Sequence, residues 1–234
     1  MNPKICVSIT PDTSSDLAIC SRRAEELSAD FLEVRFDKLH NYSKALKELS
    51  KIETPPLIAT NRPFLSHKIP NSRIDEQLFN VLLDGVNAGF EYVDLDFETG
   101  NLASKLDQLR RRNAKIILST HDYSRTPNLR QLRSIIETLR SNKPDVCKVI
   151  TTARSAADNL IVLNALEENH DGIPLVCFAM GATGVWSRIL APFHGAPFTY
   201  ASLEKGSETA PGQPTISELR EIYSILGPQE KVLR

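Results

Sequence analysis

The sequence predicts an α/β protein folded as a (β/α)8, or TIM, barrel, on three observations. Short β-rich runs alternate with helical patterns from one end of the chain to the other. Eight such units fit into 234 residues, close to the about 250 typical of that architecture. Polar residues gather within or just after the β-rich runs, where such a barrel builds its site. No linker or low-complexity segment divides the units, so a single domain over residues 1–234 is expected. An open doubly wound sheet is the alternative, but no G-x-G-x-x-G follows the first run.

Taken in order, the first run is Ile5 to Thr10, followed by a polar turn and a helical stretch from about Ser15 to Leu27. The second, Phe31 to Asp37, sets Glu33, Arg35 and Asp37 on one face against Leu32, Val34 and Phe36 on the other, the period of a strand. Tyr42 to Leu49 then reads as helix. The third run is Pro56 to Thr60, with a loop leading to a helix from about Ser72 to Ala88. The fourth, Tyr92 to Phe97, sets Asp94 and Asp96 against Val93, Leu95 and Phe97, and a helix from Leu102 to Arg111 follows. The fifth, Lys115 to His121, precedes a helix from about Leu129 to Arg140, and the sixth, Asp145 to Ile150, a helix from Ala156 to Glu168. The seventh, Pro174 to Met180, is closed by Gly181-Ala182-Thr183-Gly184 and a helix around Trp186. The eighth, Phe198 to Ser202, precedes a loop and a last helix from about Ser217 to Leu226. The capping box Thr215-Ile216-Ser217-Glu218 signals the start of that helix.

Hydrophobic residues at 41% and charged residues at 24% give an ordinary globular balance. With 28 basic against 29 acidic residues there is no net field to suggest nucleic acid or an anionic membrane surface, which leaves small molecules as the expected partners. No apolar run approaches a membrane span. Cys6, Cys20, Cys147 and Cys177 form no C-x-x-C pair and have no histidine spacing that suggests zinc. Three of them sit in strand-like runs, where a thiol behaves as a small hydrophobe. A reducing compartment without disulfides is expected. Met1-Asn2-Pro3-Lys4 leads directly into a strand pattern without signal-peptide character, so that compartment is expected to be the cytoplasm.

The sixth run carries the chemistry. Val146, Lys148 and Ile150 point one way, Cys147 and Val149 the other, and both faces are apolar, as in a parallel strand covered on both sides. A charged ammonium there costs on the order of several kcal/mol unless it is paired, so it tends to shed its proton. A neutral lysine is a nucleophile. The alternative is an ammonium that escapes to solvent or pairs with a carboxylate. The fifth run ends at Ser119-Thr120-His121-Asp122, placing an imidazole beside the lysine, and imine chemistry needs a group that moves protons near pH 7. Alone, that histidine would read as a hydrogen-bonded structural residue. The polar faces of runs two and four are expected to look into the barrel, where each charge needs a partner, such as Glu33 with Arg35 or Arg62. Arg188, one turn into the helix after run seven, either faces the same mouth or is solvated. The Gly181 to Gly184 turn could hold an anion. The loop after run eight, however, carries Glu204 and Glu208 where a phosphate site would want glycines, which favours a carboxylate substrate held by arginine.

These residues resemble those of the type I 3-dehydroquinate dehydratases, over essentially the whole chain. The matching pieces are Glu33-Val34-Arg35, Ser119-Thr120-His121-Asp122-Tyr123 with Thr126-Pro127, Lys148, Met180-Gly181 with Ser187-Arg188, and Thr209-Ala210-Pro211-Gly212-Gln213. The resemblance implies a barrel without metal or organic cofactor, acting in the shikimate pathway of aromatic amino acid biosynthesis, and a homodimer. It implies that Lys148 attacks the C3 ketone of 3-dehydroquinate to form an imine, and that His121 takes the C2 proton and returns it to the departing C1 hydroxyl. It further implies that Arg188 holds the substrate carboxylate, that Gln213 and Thr209 cover it from the last loop, and that Glu33, Arg35 and Arg62 bind the ring hydroxyls, with Ser8 as a further substrate contact. Two positions depart from the family pattern. Ser66, with His67 beside it, stands where many members carry a glutamate four residues after the strand-three arginine, and Thr209 stands where many have serine. Competing readings are a Schiff-base aldolase with a phosphate site at Gly181 to Gly184, a metal-dependent barrel using Glu33, Asp94, Asp96 and His121, and a catalytically silent scaffold.

Overall fold

The computed structural model describes residues 3–49, 51–62, 72–169 and 172–227. Eight strands alternate with eight helices within them: β1 (Ile5–Ile9), α1 (Ser14–Glu26), β2 (Phe31–Arg35), α2 (Tyr42–Leu49), β3 (Leu57–Thr60), α3 (Ser72–Asn87), β4 (Tyr92–Asp96), α4 (Leu102–Arg111), β5 (Lys115–His121), α5 (Leu129–Arg140), β6 (Val146–Thr152), α6 (Ala157–Glu167), β7 (Leu175–Met180), α7 (Val185–Leu190), β8 (Thr199–Ala201) and α8 (Ile216–Leu226). All strand pairs are parallel, in the order β7-β6-β5-β4-β3-β2-β1-β8. The sheet therefore curls into a nearly closed barrel with a seam between β7 and β8. The eight expected units are all present. Asp37 is the main shift: it leaves the strand and sits in a short 3-10 turn, Phe36–Lys38.

Each strand is apolar towards the helices and mixed towards the barrel axis. Val7, Leu32, Val34, Val93, Leu118, Cys147 and Cys177 pack outward against Leu17, Leu46, Leu106, Leu132 and Leu163 of the helices in one continuous core. Fully burying such a side chain contributes about 1.5–3 kcal/mol, which sets the strand faces. Capping boxes fix three helix starts: Thr13 with Asp16, Asn128 with Gln131, and Thr215 with Glu218, the last at the position the sequence signals.

The axis is filled in layers drawn from alternate strands, as the architecture requires. Phe31, Tyr92, Val146 and Phe198 from the even strands form an apolar floor, with the Phe31 and Phe198 rings 5.0 Å apart. Cys6, Ile58, Ile117 and Val176 from the odd strands lie above it. The next even layer is Glu33, Asp94, Lys148 and Tyr200, and the odd layer over it is Ser8, Thr60, Ser119 and Phe178. Polarity thus begins halfway up the barrel, and the site sits at the strands' C-terminal ends.

Candidate active site

Lys148 is 5% exposed and paired. Its Nζ lies 2.7 Å from Asp94 Oδ2 and 3.4 Å from Glu33 Oε1, and 4.1 Å from the centroid of the Tyr200 ring. Of the two fates the sequence left open for a buried lysine, the structure has the ion pair with carboxylates. The partner of Glu33 differs from the expected arginine: besides Lys148, its carboxylate accepts from Ser8 Oγ and, at 3.0 Å, from Thr60 Oγ1. Layering explains this, because Glu33 and Lys148 share a level of the barrel whereas Arg35 sits one full repeat higher. Arg35 instead makes a two-pronged contact with Asp37 and donates to the Arg62 carbonyl.

Asp94 is the residue that sequence reading left open as a structural charge. Its Oδ2 holds Lys148, and its Oδ1 accepts from Arg62 Nη2 at 2.9 Å and from Ser119 Oγ. Burial by itself would raise its carboxyl, but the Lys148 and Arg62 charges overcome that and hold it well below the usual carboxylate range. Arg62 also pairs with Asp96 Oδ2 at 2.9 Å, and its Nη1 reaches His121, 2.7 Å from Nδ1 and 3.0 Å from Nε2. A guanidinium only donates, so this contact suits a neutral imidazole, which keeps one ring nitrogen free to accept. Burial, then the Arg62 and Lys148 charges, push the His121 imidazole well below its ordinary value, towards the neutral form a base needs. The Tyr123 ring stacks on the imidazole at 5.7 Å. Ser119, which the sequence offers only as part of a matching motif, and Tyr200 have no role legible in the sequence. A small hydroxyl residue and an aromatic inside apolar runs carry no distinguishing signal, and only the alternation of β5 and β8 turns them towards the axis.

Arg188 is buried, stacked on the Phe178 ring at 4.2 Å, and its Nε and Nη2 have no partner among the described residues. Burial pulls it down to about 10, leaving it charged at neutral pH. Those two nitrogens form the edge that meets a carboxylate with two parallel hydrogen bonds. Arg188, Lys148, His121, Glu33, Arg35, Arg62, Thr209 and Gln213 all line one cavity of about 510 Å³. Ser8 does not line it and lies beneath, holding Glu33. Gln213 Oε1 accepts from the Thr209 backbone N–H at 2.7 Å and its hydroxyl at 3.1 Å, which ties the loop after β8 together over the mouth. Ser66 and His67 lie outside the described residues. A second hollow of about 590 Å³ opens beside α5 and shares His121, Tyr123 and Ile150 with the first, without reaching Lys148.

The family description "Type I 3-dehydroquinase" matches residues 5–230. The chain belongs to the type I 3-dehydroquinase family. It is 35% identical over 221 residues to the 3-dehydroquinate dehydratase of a Dehalococcoides mccartyi strain, covering 94% of this chain and 95% of that one. Against the enzyme of the same name from Methanothermobacter thermautotrophicus it is 30% identical, covering 98% and 100%. The fold superposes on the type I 3-dehydroquinate dehydratase of Clostridium difficile with a TM-score of 0.84 at 22% identity, covering 96% of this chain and 92% of that one. The reaction of the type I 3-dehydroquinases is the dehydration of 3-dehydroquinate to 3-dehydroshikimate through a lysine Schiff base, a step of the shikimate pathway, and it is the reaction of this chain. No helix among the described residues is long and apolar enough to cross a membrane.

Proposed function

We propose that Lys148 is the imine-forming residue and His121 the proton carrier of this dehydratase, with the substrate held by the lining residues of the 510 Å³ cavity. The observation that carries this reading is a buried lysine opening on the same cavity as the His121 imidazole and an arginine edge with two unmet N–H groups among the described residues. The Lys148 ammonium yields a proton to His121 and the freed amine adds to the C3 ketone; His121 returns that proton to the carbinolamine hydroxyl, which leaves as water, giving a protonated imine that withdraws electrons from C2. A proton beside such a centre is far more acidic than one beside a ketone. His121 takes that C2 proton, the resulting enamine expels the C1 hydroxyl, and the same proton leaves with it as water. Hydrolysis of the imine then frees product and restores the lysine. Arg188 receives the substrate carboxylate, which fixes the ring over the lysine. Glu33, Arg35 and Arg62 serve the ring hydroxyls, Gln213 and Thr209 cover the mouth, and Ser8 acts through Glu33. On the family resemblance, the assembly is a homodimer in the cytoplasm, for which light scattering at twice the monomer mass is the check.

Borohydride trapping tests the assignment. Reduction in the presence of 3-dehydroquinate is expected to leave one substrate-derived mass on the peptide carrying Lys148, and none after Lys148→Ala. Turnover with the adduct on another residue sinks the lysine assignment.

A further inference from the structure

Two cations of the site rest on aromatic faces. Lys148 Nζ is 4.1 Å from the centroid of the Tyr200 ring, and Arg188 Cζ is 4.2 Å from that of Phe178. The two rings are neighbours across the seam between β7 and β8, 6.3 Å apart and tilted by 58°. Both are buried, at 2% and 3% exposure. The Tyr200 hydroxyl has no partner among the described residues, so what the residue offers at this position is its ring. Arg188 makes no ion pair among the described residues, and its seat is the Phe178 face.

Resting on the reading above, we infer that Phe178 and Tyr200 are positioning residues, a two-ring platform that sets the spacing between the amine bonding the substrate ketone and the guanidinium taking its carboxylate. The quadrupole of an aromatic face attracts a cation without supplying a counter-charge. At Arg188 this matters because a protein carboxylate would compete with the substrate's own. At Lys148 the nitrogen is cationic as the ammonium and again as the protonated imine, and a ring face serves both states without exchanging a proton. Glu33 and Asp94 hold the same nitrogen as ion-pair partners. The seam gives the platform its purpose. Among the described residues no β7–β8 ladder joins the two strands; the ring pair spans the gap between them, while the Thr199 hydroxyl, donating to the Arg188 carbonyl at 2.8 Å, ties β8 to α7 and so to the guanidinium's own helix.

Steady-state kinetics with 3-dehydroquinate, combined with borohydride trapping, separates the two rings. Phe178→Leu is expected to raise KM on the order of tenfold with kcat little changed, and Tyr200→Leu to lower kcat and the trapping rate by a similar factor with KM little changed. Tyr200→Phe, which keeps the ring, restores most of what Tyr200→Leu loses. Near-ultraviolet circular dichroism checks folding, and Phe178→Met and Tyr200→Met, read the same way, replace a leucine variant that does not fold. The platform is overturned if both variants lower kcat and raise KM together, if neither changes either constant, or if Tyr200→Phe is as impaired as Tyr200→Leu. A wild-type enzyme that yields no adduct overturns the functional reading and the platform with it. A wild-type adduct with unsplit kinetics overturns the platform alone.

Discussion

Asp94 holds a different cation on each oxygen, and both cations are in the site. Removing one member of a buried pair leaves the other charge without compensation, which typically costs about 3–5 kcal/mol. Asp94→Ala is therefore expected to lower unfolding free energy in urea by that order and to lose activity, because Lys148 and Arg62 both lose a partner. The pH consequence has a definite sign. The folded-state carboxyl sits below its unfolded value, so the stability it confers is complete above the unfolded value of about 4 and is lost as the pH falls through the depressed folded one. Acid titration of wild type and Asp94→Asn should show the variant's stability falling less steeply below about pH 4. His121 gives a second prediction. Burial, Arg62 and Lys148 hold the imidazole below its ordinary 6.5, so the base stays neutral into mildly acidic solution. The acid limb of kcat/KM is expected below pH 6.5, and Arg62→Gln, which removes one of the neighbouring charges, should move that limb upward.

At the level of elements, the loop between β8 and α8 is fastened where the substrate must pass. Gly181 donates its backbone N–H to the Pro211 carbonyl at 3.1 Å, joining the end of β7 to that loop. Gly212 has φ +72°, and a Cβ there would collide with the Gly181 carbonyl. Two costs therefore coincide at one position: the left-handed backbone and the close approach of two chains. Gly212→Ala is expected to unseat Gln213 and Thr209 from the mouth, raising KM at least several-fold, with a stability loss of about 1–3 kcal/mol by thermal unfolding. An unchanged KM would show that the Gln213 side chain does not depend on this contact. The neighbouring Gly184 is packed as closely, against the Ala179 carbonyl, so position 184 tolerates no side chain either.

At the scale of the molecule, two periodicities explain what could be read in advance. The alternation within strands put Glu33 and Asp94 on the barrel side and Lys148 inside a covered strand, and the strand-helix count put His121 at a C-terminal strand end, with Arg188 in the helix after the seventh run. The resemblance supplied the roles. Pairing was harder to read, because a layer collects side chains from every second strand, and residues 33, 94, 148 and 200 are too far apart in the chain for spacing to reveal their contact. Glu33 therefore meets Lys148 where an arginine was expected, and Tyr200 was indistinguishable from a core aromatic. This layered construction divides the reactive level evenly along the chain. A cut in the turn between α4 and β5 would leave the carboxylates Glu33 and Asp94 on one fragment and the amine of Lys148 with the Tyr200 ring on the other. Neither fragment alone should dehydrate substrate or retain it after reduction, whereas the mixed halves should regain both abilities as the barrel reassembles. The recovered turnover would then report that two polypeptides had docked, making the enzyme a readout for the association of any two partners fused to its halves.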